Sequence, residues 1–148
     1  MRLQSLGQFF FSSPLFVSGS TWNHFGLAGT NYIGPGYSSG QIGGTATGSA
    51  VQPTNAVDAL ALEHDIAYEA AETSSTPKRD TLKADLALLK DLSSLMRDDD
   101  LPSGEMVLAK VTFASIAGNV LVKNLPDAFA ETHGQIDIVG IQQDMGIA

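Results

Sequence analysis

The sequence predicts a mainly α domain without disulfides. Three observations predict it. Apolar residues recur at helical spacing over 54–72 and again over 80–96, a third stretch at 105–122 is apolar on most sides, and the 148 residues include no cysteine. Hydrophobic residues make up 43% of the chain, enough for a real core at this length. Sixteen acidic residues against eight basic ones give a formal net charge of -8. That balance argues against a nucleic-acid partner, whose phosphates call for clustered Lys and Arg. It also disfavours long-range attraction to anionic membranes, but suits a cation bound by oxygen.

Residues 1–30 have no clean period and read as an extended or irregular arm. Phe9 to Val17 is a short apolar patch, but Gln8, Ser12, Ser13 and Pro14 interrupt it, which weakens a signal-peptide reading. Trp22, Phe25, Leu27 and Ile33 are candidates for an apolar rim or for core, and His24 reads as structural. Residues 31–53 contain too many glycines and prolines for a long helix and read as loop.

The first helix is expected from about Thr54 to Glu72. Thr54 or Asn55 supplies a cap, and Asp58 suits the first turn. Pro77 then breaks the helix. The second helix is expected from about Asp80 to Met96, with Leu82, Leu86, Leu89 and Met96 on its apolar side. DDDLPSG at 98–104 ends it, and its three acids read as a solvated turn. The third helix is expected from Glu105 to Val122. Lys110, Thr112, Ser115 and Asn119 interrupt it as a membrane span. The tail from Lys123 is expected to hold a helical turn and a short strand at Ile136 to Ile141, with His133 solvated. The domain organisation is therefore an arm at 1–30, a domain at 31–122 and a tail at 123–148.

Two polar residues intrude on apolar stripes. His64 shares a helix face with Leu60, Ala61, Ala67, Tyr68 and Ala71. Asp85 shares one with Leu82, Leu86 and Leu89. A buried carboxylate costs several kcal/mol unless it is paired or hydrogen-bonded. Two helices joined by a short loop tend to pack antiparallel, which would offer Asp85 to His64 with Tyr68 as a second donor. A carboxylate holding one imidazole nitrogen leaves the other free to take a proton. The bland reading is a satisfied core histidine and a surface aspartate. Asp65 lies on the helix flank. Upstream, Tyr32-Ile33-Gly34-Pro35-Gly36 has alternate glycines, which let a backbone curl its carbonyls inward. Carbonyls plus a carboxylate make a typical calcium site, and Asp65 is the natural carboxylate.

Together YIGPG at 32–36, PTNAVDALALEHDIAY at 53–68 and KADLALL at 83–89 resemble the phospholipase A2 superfamily. The likeness is greatest to the phospholipase domain of parvovirus and densovirus minor capsid proteins. The absence of cysteine fits that viral branch, because secreted relatives are dense in disulfides. Gly36 to Pro53 is longer and richer in Gly, Ser and Thr than in the viral domains. The resemblance implies a core of two antiparallel catalytic helices, a Gly-rich calcium loop and a third apolar helix. It implies calcium on the carbonyls of Tyr32, Gly34 and Gly36 and on Asp65, with His64 as general base, Asp85 fixing its tautomer and Tyr68 donating to Asp85. The implied reaction is sn-2 ester hydrolysis of glycerophospholipids at a membrane surface. The implied setting is a virion with other capsid proteins, acting at a host endosomal membrane, or alternatively a secreted protein. A scaffold or membrane-lytic capsid piece that keeps the fold without turnover is the alternative function.

Overall fold

The computed structural model describes residues 16–18, 25–134 and 138–144. The fold is mainly helical, as expected. The chain forms two compact units, Met1–Asp65 and Ile66–Ala148, and the division falls inside the first helix.

The first unit opens with β1 (Phe16–Ser18) paired antiparallel to β2 (Phe25–Leu27), with Phe16 opposite Leu27. The described part of the arm thus holds a strand pair that its composition does not announce. A second hairpin joins β3 (Tyr37–Ser38) to β4 (Gln41–Ile42). Its two turn residues, Ser39 and Gly40, both have positive φ (53° and 74°). That is the turn whose twist suits a two-residue hairpin, and Gly at the second place relieves it. Gly26 has a different duty. A Cβ there would lie 2.3 Å from the Tyr37 ring, so only glycine lets that ring rest on β2. Tyr37 is buried, and its hydroxyl donates to the Thr30 carbonyl at 2.8 Å.

Helix α1 spans Ala56–Glu72. Asn55 is its cap: the side-chain oxygen accepts the Asp58 N–H at 2.9 Å. Buried Val57 and Ala61 anchor the first turns.

In the second unit, α2 covers Pro77–Leu95. It starts three residues earlier than expected. Helix α1 already ends at Glu72, and proline is well suited to a first turn, where its missing N–H has no partner to lose. Glu131 then accepts the N–H groups of Lys78 and Arg79 at 3.1 and 2.8 Å, serving that N-terminus from a distance. Helix α3 covers Ser103–Asn119, a π-helical turn follows at Val120–Asn124, and α4 runs from Leu125 to Glu131. The expected end at Val122 is corrected, because the helix continues unbroken for 29 residues. Pro126 does not break it, since it falls in the first turn of α4, whose N–H groups lie beside the π turn. By length and composition alone this helix could cross a membrane. The core of the unit is Leu82, Val120 and Ala128, flanked by Leu86, Leu89, Ile116 and Leu125.

The expected strand at Ile136–Ile141 is also corrected. Ile138–Asp144 is a short helix, α5, and Ile141 is buried. The β-branched residues imitate a strand, but a strand needs an edge to pair with, and among the described residues the paired strands are β1 with β2 and β3 with β4. Asp98, Asp99 and Asp100 are exposed, as a solvated turn should be. His133 is likewise exposed.

Candidate active site

The first unit holds the loop, His64 and Asp65. Gly34 and Gly36 have φ of 137° and 65°, so a side chain at either place would strain the curl. The loop is fixed by Asp58, which is completely buried. One carboxylate oxygen accepts the N–H groups of Tyr32 (2.8 Å) and Asn31 (3.1 Å). The other accepts Asn31 again (3.0 Å) and the Thr54 N–H (2.9 Å). The negative charge also stands in the first turn of α1, where the helix dipole favours it. Sequence reasoning gave Asp58 only this last role.

Asp65 is tied to the same loop region. It accepts the Ser38 hydroxyl at 2.8 Å, and Ser38 is buried. Its other oxygen lies 3.8 Å from His64 Nδ1, too far for a hydrogen bond. His64 is buried, as its place in the apolar stripe requires.

Among the described residues no three His, Asp or Glu side chains are grouped to hold a metal. A cation site therefore has to draw on main-chain oxygen. The Gly34 carbonyl accepts the Tyr37 N–H at 3.2 Å, and the Gly36 carbonyl accepts the Gly43 N–H at 2.8 Å. Each carbonyl has a second lone pair. An all-oxygen set of carbonyls and one carboxylate on a glycine-curled loop has the donor chemistry of a hard cation such as calcium. Ile33 belongs to the core, not to an exposed rim. Trp22 and His24 lie outside the described residues.

The second unit holds Tyr68 and Asp85. Asp85 is completely buried on α2. The Tyr68 hydroxyl donates to its Oδ1, as expected. A second donor was not expected: the Asn124 amide donates to Asp85 Oδ2 and, at 2.9 Å, to the Tyr68 hydroxyl. Two acceptors facing one amide settle which end of Asn124 is nitrogen. The π turn contributes to this placement. Positions four apart drift by roughly 40° in an α-helix, and the wider turn offsets that drift. Val120, Asn124 and Ala128 thereby all stay buried.

A family model described as a phospholipase A2-like domain matches residues 23–107, more than half of the chain. No curated protein and no solved structure gives a match. Asn124 lies outside the matched residues.

Proposed function

We propose, from the premise that the chain belongs to the phospholipase A2-like domain family, that it is a calcium-dependent phospholipase A2 cleaving the sn-2 ester of glycerophospholipids. The observation that carries this reading is Asp85: a fully buried carboxylate held by Tyr68, the tyrosine of the HDxxY run, and by Asn124. A carboxylate fixed so firmly in an apolar setting suits the orienter of a general base.

In this reading His64 takes a proton from a water molecule as the water oxygen bonds to the ester carbonyl carbon. Asp85 keeps the imidazole in the right tautomer and balances the imidazolium. The Gly34 N–H donates to the developing oxyanion. Collapse breaks the bond to the glycerol oxygen, and His64 returns the proton to it. The products are a fatty acid and a lysophospholipid, with no covalent intermediate. The carbonyls of Tyr32, Gly34 and Gly36 and the carboxylate of Asp65 would hold calcium, whose chemistry when bound is that of a Lewis acid toward phosphate and ester oxygens. Asp65 supports this role because its bond to Ser38 turns it toward the loop hairpin.

The proposed setting is a viral capsid module that breaches a host membrane during entry. The motif likeness and the lack of cysteine support it.

The test is fatty-acid release from sn-2-labelled phosphatidylcholine vesicles, with calcium, with chelator, and with His64→Ala. Release that needs calcium and disappears in the variant is the expected result. A folded, calcium-loaded protein that releases nothing would favour a non-catalytic capsid role.

A further inference from the structure

The helix from Ser103 to Glu131 is apolar on most sides, yet among the described residues one of those sides is exposed. Its inward positions, Ala109, Thr112, Val120, Asn124 and Ala128, are buried. Its outward positions are not. Val107 is 61% exposed, Val111 46%, Leu121 69%, Val122 80% and Phe129 48%. Gly104, Ala114 and Gly118 are exposed as well. The steps 104, 107, 111, 114, 118 and 121 alternate by three and four, so these residues form one strip. Val107 to Phe129 extends over about 33 Å at the helical rise. A helix that is apolar on every side normally lies buried, and an exposed apolar strip of this length marks an interaction surface.

The charges say what kind. Lys110 and Lys123 lie along the helix between acids that stand toward its two ends, Glu105 at one and Asp127 and Glu131 at the other, in a chain that carries sixteen acids and a net charge of -8. Lys123 pairs with Asp127 at 3.0 Å, one turn on. Such an exposed pair is weak and readily exchanged. A second copy of the chain would bring the same lysines and the same net charge against themselves. A phospholipid surface would not. Aliphatic side chains enter the acyl boundary, and lysine stems follow them while the ammonium groups meet phosphate.

We propose that this outward strip of the Ser103–Glu131 helix docks the protein on a zwitterionic phospholipid bilayer, the helix lying along the surface. The inference deepens the phospholipase reading and rests on it for the choice of lipid, but docking itself needs no turnover. The net charge of -8 is the reason for a zwitterionic bilayer over an anionic one.

The test is flotation with phosphatidylcholine vesicles, run with chelator and in a His64→Ala background so that nothing is hydrolysed. The parent should float. Val111→Ser, Leu121→Ser and Val122→Ser together should weaken partitioning by about a hundredfold, on the ordinary worth of aliphatic burial. Because the three positions are exposed, the thermal melt should stay in place. With His64 intact, cleavage of a soluble short-chain substrate should also be unchanged. Lys110→Glu, which leaves the strip whole, should weaken flotation several-fold. A parent that stays in the aqueous layer overturns the proposal, as does equal flotation of parent and variants. A parent that is dimeric, and that the triple substitution makes monomeric without changing flotation, overturns it in favour of a second copy. Flotation that depends on the strip, in a protein that never releases fatty acid, upholds docking while the phospholipase reading falls.

Discussion

Asp58→Asn keeps shape and volume but replaces one carboxylate oxygen with an amide nitrogen. In the native protein the two oxygens of Asp58 receive the N–H groups of Asn31, Tyr32 and Thr54. An amide has one acceptor. If its oxygen keeps Tyr32 and Asn31, its NH2 faces the Thr54 N–H, donor against donor. A hydrogen bond to a charged group is worth about 1.5–3 kcal/mol, and stranding a buried donor costs about 1–3 kcal/mol. The bonds that remain also lose their charge. The expected loss is about 3 kcal/mol, a large part of the 5–15 kcal/mol typical of a domain. Urea unfolding should show a lower midpoint with an unchanged slope. Calcium titration by calorimetry should show weaker binding, because the same bonds hold the Tyr32–Gly36 curl. A variant within about 0.5 kcal/mol of the parent, the level of an ordinary surface change, would refute the view that this carboxylate holds the loop.

Two further outcomes follow from other buried groups. Asn124→Leu should cut fatty-acid release and cost about 1–3 kcal/mol of stability, because Asp85 loses a donor. Asn124→Asp should be less stable still at neutral pH, with two carboxylates facing each other, and its stability should partly recover in acid as one of them takes up a proton. Activity that is the same in all three proteins would remove Asn124 from the site. Burial, and secondarily the charge of Asp58, push the Tyr37 phenol above its ordinary value. The folded state therefore holds that proton more tightly than the unfolded chain. The resulting stability is fully present below about pH 10 and is lost as pH rises through the folded value. Tyr37→Phe should flatten that alkaline decline in urea midpoints, and should cost about 1 kcal/mol at neutral pH through the lost bond to Thr30.

What the sequence revealed and what it hid divide along the range of the interactions. The stripes of α1 and α2 could be read because residues three and four apart determine them, and His64 and Asp85 are buried where those stripes put them. The Tyr68–Asp85 bond was legible because a carboxylate on an apolar stripe needs donors, and Tyr68 stood as the second donor beside His64. Asn124 could not be found that way. It lies 39 residues from Asp85 and 56 from Tyr68, and its neighbours in sequence look like a helix end. The π turn that places it leaves no mark in hydrophobic periodicity. Asp58 was visible as a first-turn acid, but its bonds to a loop 26 and 27 residues upstream were not. The start of α2 was misread for another reason. Proline signals a break and a beginning alike, and only the Glu131 carboxylate at that N-terminus shows which applies.

Asp58 also explains how a glycine-rich loop is held in a chain with no cysteine. Closing a segment of the length between Asn31 and Asp58 with a disulfide would contribute roughly 3–4 kcal/mol by limiting the unfolded chain. Three N–H bonds to a carboxylate contribute about 1.5–3 kcal/mol each. Against them stands the cost of burying the charge, several kcal/mol even in a relaxed protein. The net is of the same order as a disulfide, reached through acceptors placed on the native loop and not through a covalent link. The consequence is chemical. A disulfide would tie the loop to an oxidising compartment, whereas a buried carboxylate works equally well under reducing conditions. The loop that the proposed calcium site depends on should therefore keep its shape when thiol reductant is added, and fatty-acid release should be the same with and without it.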